Sequence, residues 1–464
     1  MLVFISDLHL TDGTSGETIN AGAFRIFRER LLDLARAASW RTGAKYKPID
    51  RLDLVLLGDI LDVIRSSQWL ARNTRPWSDP STAAFQEKVA AITDAILEKN
   101  EKSIAILKTL HDPEIFSLPE AADGDRPKKA GKEAGADKRL PVETHIHYVI
   151  GNHDWFFGLS GAWCTDIRRS IVKAMGLSNS PDEPFPYDVD ASDQIRRVCA
   201  AHQVFARHGD IYDRFNYEGR RDASSLGDAI VVELLSRFPE EVARQMGNQL
   251  PQECRDGLKE IDNVRPLLVV PAWIDGLLRR TCPDQQQSER VKAIWDDMAD
   301  QFLRLQFVRD RDKWYQWNDL VDQLEVALKF SKGTSLRNLS RLLTWWSEFS
   351  TGDDEPFYKN ALAEQRFKSR SARFIVYGHT HRQEIVPLDS SGIGRDAFNQ
   401  MYMNAGTWRR VHELAKWNPN DEEFMSYDVM TYLAFFKDDE RSGRPFESWS
   451  GALGAKPEAR SSRS

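Results

Sequence analysis

The stretch Phe374-Ile-Val-Tyr377-Gly378-His379-Thr380-His381 sets an apolar run directly against two histidines one residue apart. With Arg373 at its start, the run reads as a buried strand, and the polar cluster stands at its carboxyl end. The same pattern recurs along the chain. Leu2 to Ile5 ends at Ser6-Asp7-Leu8-His9, and Leu52 to Leu57 ends at Gly58-Asp59. His145 to Ile150 ends at Gly151-Asn152-His153-Asp154, and Arg197 to Ala206 leads into Arg207-His208-Gly209-Asp210. In α/β sheets ligands bind beyond the carboxyl ends of the strands, so these clusters are expected to converge. Alternate residues of an extended chain point the same way, so Asp7 with His9, and His379 with His381, can each offer two donors to one site.

The donors are carboxylate, carboxamide and imidazole groups, with no thiolate among them. Such a set suits Mn, Fe or Zn as a working ion and disfavours a structural zinc–thiolate centre. Taken singly the signals are weak: Asp-x-His is commonplace, and a lone His208 would ordinarily be a hydrogen-bonded structural residue. Their joint occurrence, each just after a strand, carries the reading. The cysteines at 164, 199, 254 and 282 form no CxxC pair and read as scattered reduced thiols. There is no Gly-x-Ser-x-Gly elbow, no phosphate-binding Walker loop and no dinucleotide glycine fingerprint.

Around these clusters the chain divides. Arg25 to Ala38 and Thr82 to Leu110 have helical spacing, Met401 to Met403 is a short strand, and Tyr432–Phe436 with Pro445–Trp449 suggests a closing hairpin. Residues 120–139, rich in Ala, Gly, Lys and Asp, read as a flexible loop, and 452–464 as a disordered tail. Residues 223–368 read as a helical insertion, with helices at Val231–Gln245, Ser288–Phe307, Asn318–Phe330 and Leu336–Phe349. It carries Trp273, Trp295, Trp314, Trp317, Trp345 and Trp346, which are either core or the lining of a cap. Residues 1–222 and 369–451 then form a discontinuous α/β core.

Across 464 residues, 41% hydrophobic and 29% charged side chains describe an ordinary globular protein. A formal net charge of −7 gives no global electrostatic reason to expect a nucleic-acid binder. The N-terminus turns polar at Ser6-Asp7, unlike a secretory signal. The most apolar window, Leu267 to Leu278, is too short for a membrane span and contains Asp275. A cytoplasmic location is expected, with peripheral membrane contact left open.

The ordered set Asp7-x-His9, Gly58-Asp59, Gly151-Asn152-His153-Asp154, His208 and Gly378-His379-x-His381 resembles the calcineurin-like metallophosphoesterase family over roughly residues 1–215 and 370–450. The resemblance implies a four-layer αββα sandwich with two divalent metal ions, Mn first, at one edge of its sheets. It also implies the ligand sets. Asp7, His9, Asp59 and His381 hold one ion; Asp59, Asn152, His208 and His379 hold the other, with Asp59 bridging. The chemistry implied is hydrolysis of a phosphodiester or pyrophosphate bond by a metal-bridging hydroxide. His153 would serve the leaving group or bond the phosphoryl group, Asp154 would fix the His153 tautomer or cap the next turn, and Asp62 and Asp210 would orient ligand histidines.

In detail the motifs are most similar to the branch containing UDP-2,3-diacylglucosamine pyrophosphatase: Ser6-Asp-Leu-His-Leu10, Gly58-Asp-Ile-Leu-Asp62, His208-Gly-Asp210 and Asn404-Ala-Gly-Thr-Trp408. That branch has Arg where this chain has His153, and a much shorter helical insertion. These departures bear on the lipid substrate and leave the hydrolytic chemistry intact. The expectation is a phosphoesterase acting on a small nucleotide- or lipid-linked phosphorylated substrate under a helical cap. A metal-dependent nuclease is the alternative; a phosphoprotein phosphatase or a metal-binding scaffold is less favoured.

Overall fold

In the computed structural model, strand periodicity decides which face of each apolar run meets which layer. The structure describes residues 1–122, 126–128, 139–265, 269–312, 320–331, 356–392, 398–415 and 423–454. Strands β1 (Leu2–Ile5), β2 (Arg51–Leu57) and β3 (Glu143–Val149) run parallel to one another. On β1, Val3 and Ile5 enter one hydrophobic cluster and Leu2 and Phe4 the other; Leu54 and Leu56 oppose Val55 and Leu57 on β2 in the same way. This sheet is therefore buried on both faces, as continuous apolar runs require.

The second sheet contains β4 (Val204–Ala206), β6 (Phe374–Tyr377), β7 (Gln383–Ser391) and β8 (Phe398–Ala405); β5 (Val264–Arg265) belongs to the first. β4, β6 and β8 are parallel and β7 closes the edge antiparallel. Tyr377, Tyr402 and Met403 share a cluster with Leu2, Phe4 and Leu57 of the first sheet, so the two mixed sheets face each other. On the other face of the first sheet, α1 (Ala21–Ala38) lays Phe24 and Phe27 against Trp408, ring centroids 5.3 and 4.9 Å apart.

The C-terminal part completes the first sheet. β9 (Arg409–Leu414), β10 (Phe424–Phe435) and β11 (Phe446–Gly454) are all antiparallel to their sequence neighbours. β10 bears β11 along one edge, while its other edge pairs with β9 at its start and with β1 at its end. The closing hairpin is thus longer than expected. Ala452 and Leu453 pair with Val429 and Asp428, so 452–454 are strand and not tail; residues 455–464 lie outside the described residues.

Other boundaries are corrected with identifiable causes. Arg197 to Ala206 is not one strand: α-helix Asp193–Ala201 precedes β4, with Ile195 and Cys199 buried one turn apart. The helix expected from Thr82 to Leu110 divides into Ala83–Lys99 and Glu101–Lys108. Buried Asn100 stands at the break, its Nδ2 donating to the carbonyls of Thr11 and Ile96, both at 2.8 Å. At the margins of the expected 120–139 loop, Ser117–Pro119 pairs with Arg139–Pro141 and Ala121–Ala122 with Arg126–Pro127; residues 123–125 and 129–138 lie outside the described residues.

The helical stretch 223–368 is joined closely to the core. It supplies β5, which pairs with β9 at the edge of the first sheet. Arg65 pairs with Asp262 in the buried interior, and Arg75 reaches Glu233 at 2.6 Å. Trp273 and Trp295 are buried, Trp295 against Phe238 with centroids 5.2 Å apart, so both are core residues. Trp314, Trp317, Trp345, Trp346 and the helix expected at 336–349 lie outside the described residues. Among the described residues no helix is long and apolar enough to cross a membrane.

Candidate metal centre

The carboxyl ends of β1, β2, β3, β4 and β6 open on the same edge, and the chain leaves β1, β2 and β6 through an unusual backbone. Asp7, His9, Asp59, His379 and His381 have φ of 55°, 46°, 55°, 68° and 61°. Non-glycine residues in the left-handed region cost on the order of 1–3 kcal/mol each and persist only where their surroundings over-determine them. Here the two β1 and β2 loops are zipped together: the amides of Asp7, His9 and Leu10 donate to the carbonyls of Gly58, Asp59 and Ile60 at 3.1, 2.9 and 2.9 Å. The second sheet is tied in by the His379 amide, which donates to Asp7 Oδ2 at 3.0 Å. Two glycines allow this closeness. A Cβ at Gly58 would collide with the His208 ring, and one at Gly378 with the Ser6 hydroxyl and the Asp7 carboxylate.

All of the expected ligands come together. His381 Nε2 lies 3.2 Å from Asp7 Oδ1 and 3.0 Å from His9 Nε2. Asp59 Oδ2 lies 3.2 Å from His208 Nε2 and 3.8 Å from His9 Nε2, so one carboxylate oxygen faces both halves of the cluster. His379 Nδ1 is 3.1 Å from Asn152 Oδ1, and its Nε2 is 2.9 Å from Asp213. His208 Nδ1 is 2.9 Å from the Leu57 carbonyl; donation there leaves Nε2 of the neutral ring free to offer its lone pair to a cation. His208 Nε2 and Asp7 Oδ1 are buried with no hydrogen-bond partner. Buried acceptors aimed at one point and two imidazole nitrogens face to face fit a cation. Asp7, His9 and His381 form one group with ligand-compatible spacing, and Asp59, His208 and His379 another.

The electrostatics agree with that fit. Burial opposes ionisation of Asp7, yet His208, His381 and His9 hold its carboxyl well below the usual range. Burial likewise opposes charge on His208, and Asp59 and Asp7 outweigh it, holding the imidazole well above its usual value. A proton on His208 occupies the place of a competing cation, so metal binding here would release it.

Around the ligands, Asp62 does more than expected. Its Oδ2 holds His9 Nδ1 and its Oδ1 holds His153 Nδ1, both at 2.7 Å, fixing two rings with one fully buried carboxylate. His153 keeps 14% side-chain exposure beside the ligand cluster. Burial lowers its pKa, but Asp62 and Asp59 raise it further, to about 9. The expectation that Asp154 fixes the His153 tautomer is corrected. Asp154 turns back beneath the strand ends, accepting from the Ile60 amide at 2.9 Å, the Gly151 amide at 2.6 Å and the Tyr148 hydroxyl at 2.6 Å. Asp210 is also reassigned: it pairs with Arg221 at 2.9 Å. Asp213 was missed, although it follows the His208 block by one turn and supports His379.

Asp154→Ala leaves those buried donors without an acceptor, so it is expected to destabilise the fold by roughly 3 kcal/mol or more. Chemical denaturation of the variant checks this, and a loss below about 1 kcal/mol contradicts the structural role. No protein-family model and no curated protein matches the chain.

Proposed function

We propose that the chain is a two-metal phosphoesterase of the calcineurin-like metallophosphoesterase family, cleaving a phosphodiester or pyrophosphate bond in a small phosphorylated substrate in the cytoplasm. The observation that carries the reading is Asp59 Oδ2, set between His9 on one side and His208 on the other at the edge of both sheets. Asp7, His9, Asp59 and His381 would hold one ion, and Asp59, Asn152, His208 and His379 the other. The facing mixed sheets, with α1 on one outer surface, support reading the architecture as the family's αββα sandwich.

Bound divalent cations, Mn²⁺ or alternatively Fe or Zn, supply charge against phosphoryl oxygens and lower the pKa of water. The chain's own groups do the rest. Asp62 holds His9 and His153 in one tautomer each, with Nε2 turned away from the carboxylate. His153, outside both ligand sets, donates its Nε2 proton to the departing oxygen. Asn152, a neutral ligand, leaves the charge of its ion less compensated than a carboxylate would.

Elemental analysis of protein dialysed after Mn²⁺ loading should find about two ions per chain, and the loaded protein should hydrolyse bis(4-nitrophenyl) phosphate. One ion or none, with no turnover, overturns the assignment.

A further inference from the structure

The helical stretch 223–368 sends one carboxylate into the interior beside the metal centre. Strand pairing brings it there: β5 lies along β9 with Val264 opposite His412, and Asp262 and Asn263 enter just ahead of that pairing. Arg409, on β9, holds both residues. Its Nη2 donates to the Asp262 carbonyl at 2.8 Å and to Asn263 Oδ1, and lies 3.4 Å from Asp262 Oδ2. The same carboxylate meets Arg65, whose Nε is in contact with Asp262 Oδ2 and 3.9 Å from Asp62 Oδ2. The side chains of Arg65 and Arg409 are each 3% exposed, and that of Asp262 is 8%. Asp62, Arg65, Asp262 and Arg409 thus form a buried row of alternating charge. The row begins at the carboxylate that holds His9 Nδ1 and His153 Nδ1, both at 2.7 Å.

This alternation decides what Asp62 can offer. Each of its oxygens already serves one ring, and Oδ1 also accepts the Arg65 amide at 3.0 Å. Arg65 is pinned at both ends of its backbone, its amide by Asp62 and its carbonyl by the Ser15 hydroxyl at 2.7 Å. A buried guanidinium without a counter-charge is strongly unfavourable. Deprived of Asp262, Arg65 would turn to the next carboxylate, Asp62, and compete with His9 Nδ1 for Oδ2. We propose that Asp262 is a positioning residue of this centre: it satisfies Arg65 and so leaves both oxygens of Asp62 to the two imidazoles. Asp262 acts through Arg65 and Asp62, in the way outer groups commonly orient metal ligands. The helical stretch then has a part in the centre itself, besides any cover it gives. The inference rests on the phosphoesterase reading only for what the two rings do once they are placed.

The test is proton–nitrogen NMR of the ion-free full chain carrying isotope-labelled histidine, which reads the carboxylate-bonded Nδ1 protons of His9 and His153. Asp262→Asn keeps the shape and removes the charge, and should shift or abolish those signals. Adding Arg65→Gln removes the competing cation and should bring them back. In the Mn²⁺-loaded chain Asp262→Asn should lower kcat for bis(4-nitrophenyl) phosphate roughly ten-fold, but about three-fold or less in the Arg65→Gln background. A mere packing role for Asp262 makes the losses the same in both backgrounds. That result, or unchanged signals in Asp262→Asn, overturns the inference. Asp262→Ser runs the same cycle should Asp262→Asn fail to fold. Turnover by the unmutated protein separates the two claims. The signal pattern without turnover upholds the positioning role and sinks the phosphoesterase reading; turnover without the pattern sinks the positioning role alone. Absence of both overturns both.

Discussion

Asp59→Asn should cost at least roughly 10³-fold in kcat/KM, about 4 kcal/mol of transition-state stabilisation, and should strip metal from both halves of the centre. The size of the effect follows from how the carboxylate is held. Asp59 Oδ1 accepts the His153 backbone amide at 2.8 Å, which obliges an asparagine to place its carbonyl oxygen there. The amide NH₂ group is then forced into the position of Oδ2, facing His208 and His9. A substitution that preserves shape therefore replaces a shared anionic donor with a group that repels a cation. Elemental analysis beside steady-state kinetics checks the claim, and a variant that keeps two ions contradicts the bridging role.

His153→Ala should lower turnover of esters with poor leaving groups by roughly 10²-fold or more, with a smaller loss on nitrophenyl esters. Metal content should stay unchanged, because His153 belongs to neither ligand set. Asp62 remains anchored in the variant: its Oδ2 still holds His9 and its Oδ1 still accepts the Arg65 amide at 3.0 Å. The pH profile gives a second readout. The protonated imidazole is the active form, so activity falls as pH rises through its pKa. That value is about 9 in the ion-free chain, with Asp62 and Asp59 raising it against burial. A cation on Asp59 cancels part of that support and moves the alkaline limb below about 9, and His153→Ala should lack this limb. Equal losses on both ester classes, together with lost metal, would instead make His153 a structural or ligand residue.

The candidate ligand cluster was legible because each donor stands in the short turn just beyond its strand: the apolar run identifies the strand, and the strand's carboxyl end locates the donor. The support around it was not. Asp154 is adjacent to His153 in sequence, but the turn at Trp155–Gly158 sends its carboxylate under Ile60 and Gly151, while Asp62, on another strand's loop, takes the imidazole. Adjacency along the chain says nothing about direction once the backbone leaves regular structure. Edge strands escaped for a different reason. β7 is half-buried or exposed along its whole length and β9 has only Val411 and Leu414 as apolar residues, so neither has a buried apolar run to announce it, and β5 pairs with β9 over two residues only. The break at Asn100 depends on a carbonyl from Thr11, far away in sequence.

The arrangement around β10 has a consequence for the order of assembly. β1 and β9 meet end to end along one edge of β10, and the residues at that junction, Asp7 and Thr407, are joined by a hydroxyl-to-carbonyl bond of 2.8 Å. Asp7 is therefore held in position by a segment 400 residues further along the chain. Closing so long a loop is entropically slow, and until it closes β1 has β2 but not its other neighbour. Before that closure the β1–β2–β3 part can collapse on its helices, but the candidate ligand edge lacks its native geometry. On the proposed two-metal reading, ion capture then waits for the segment around Thr407 to dock.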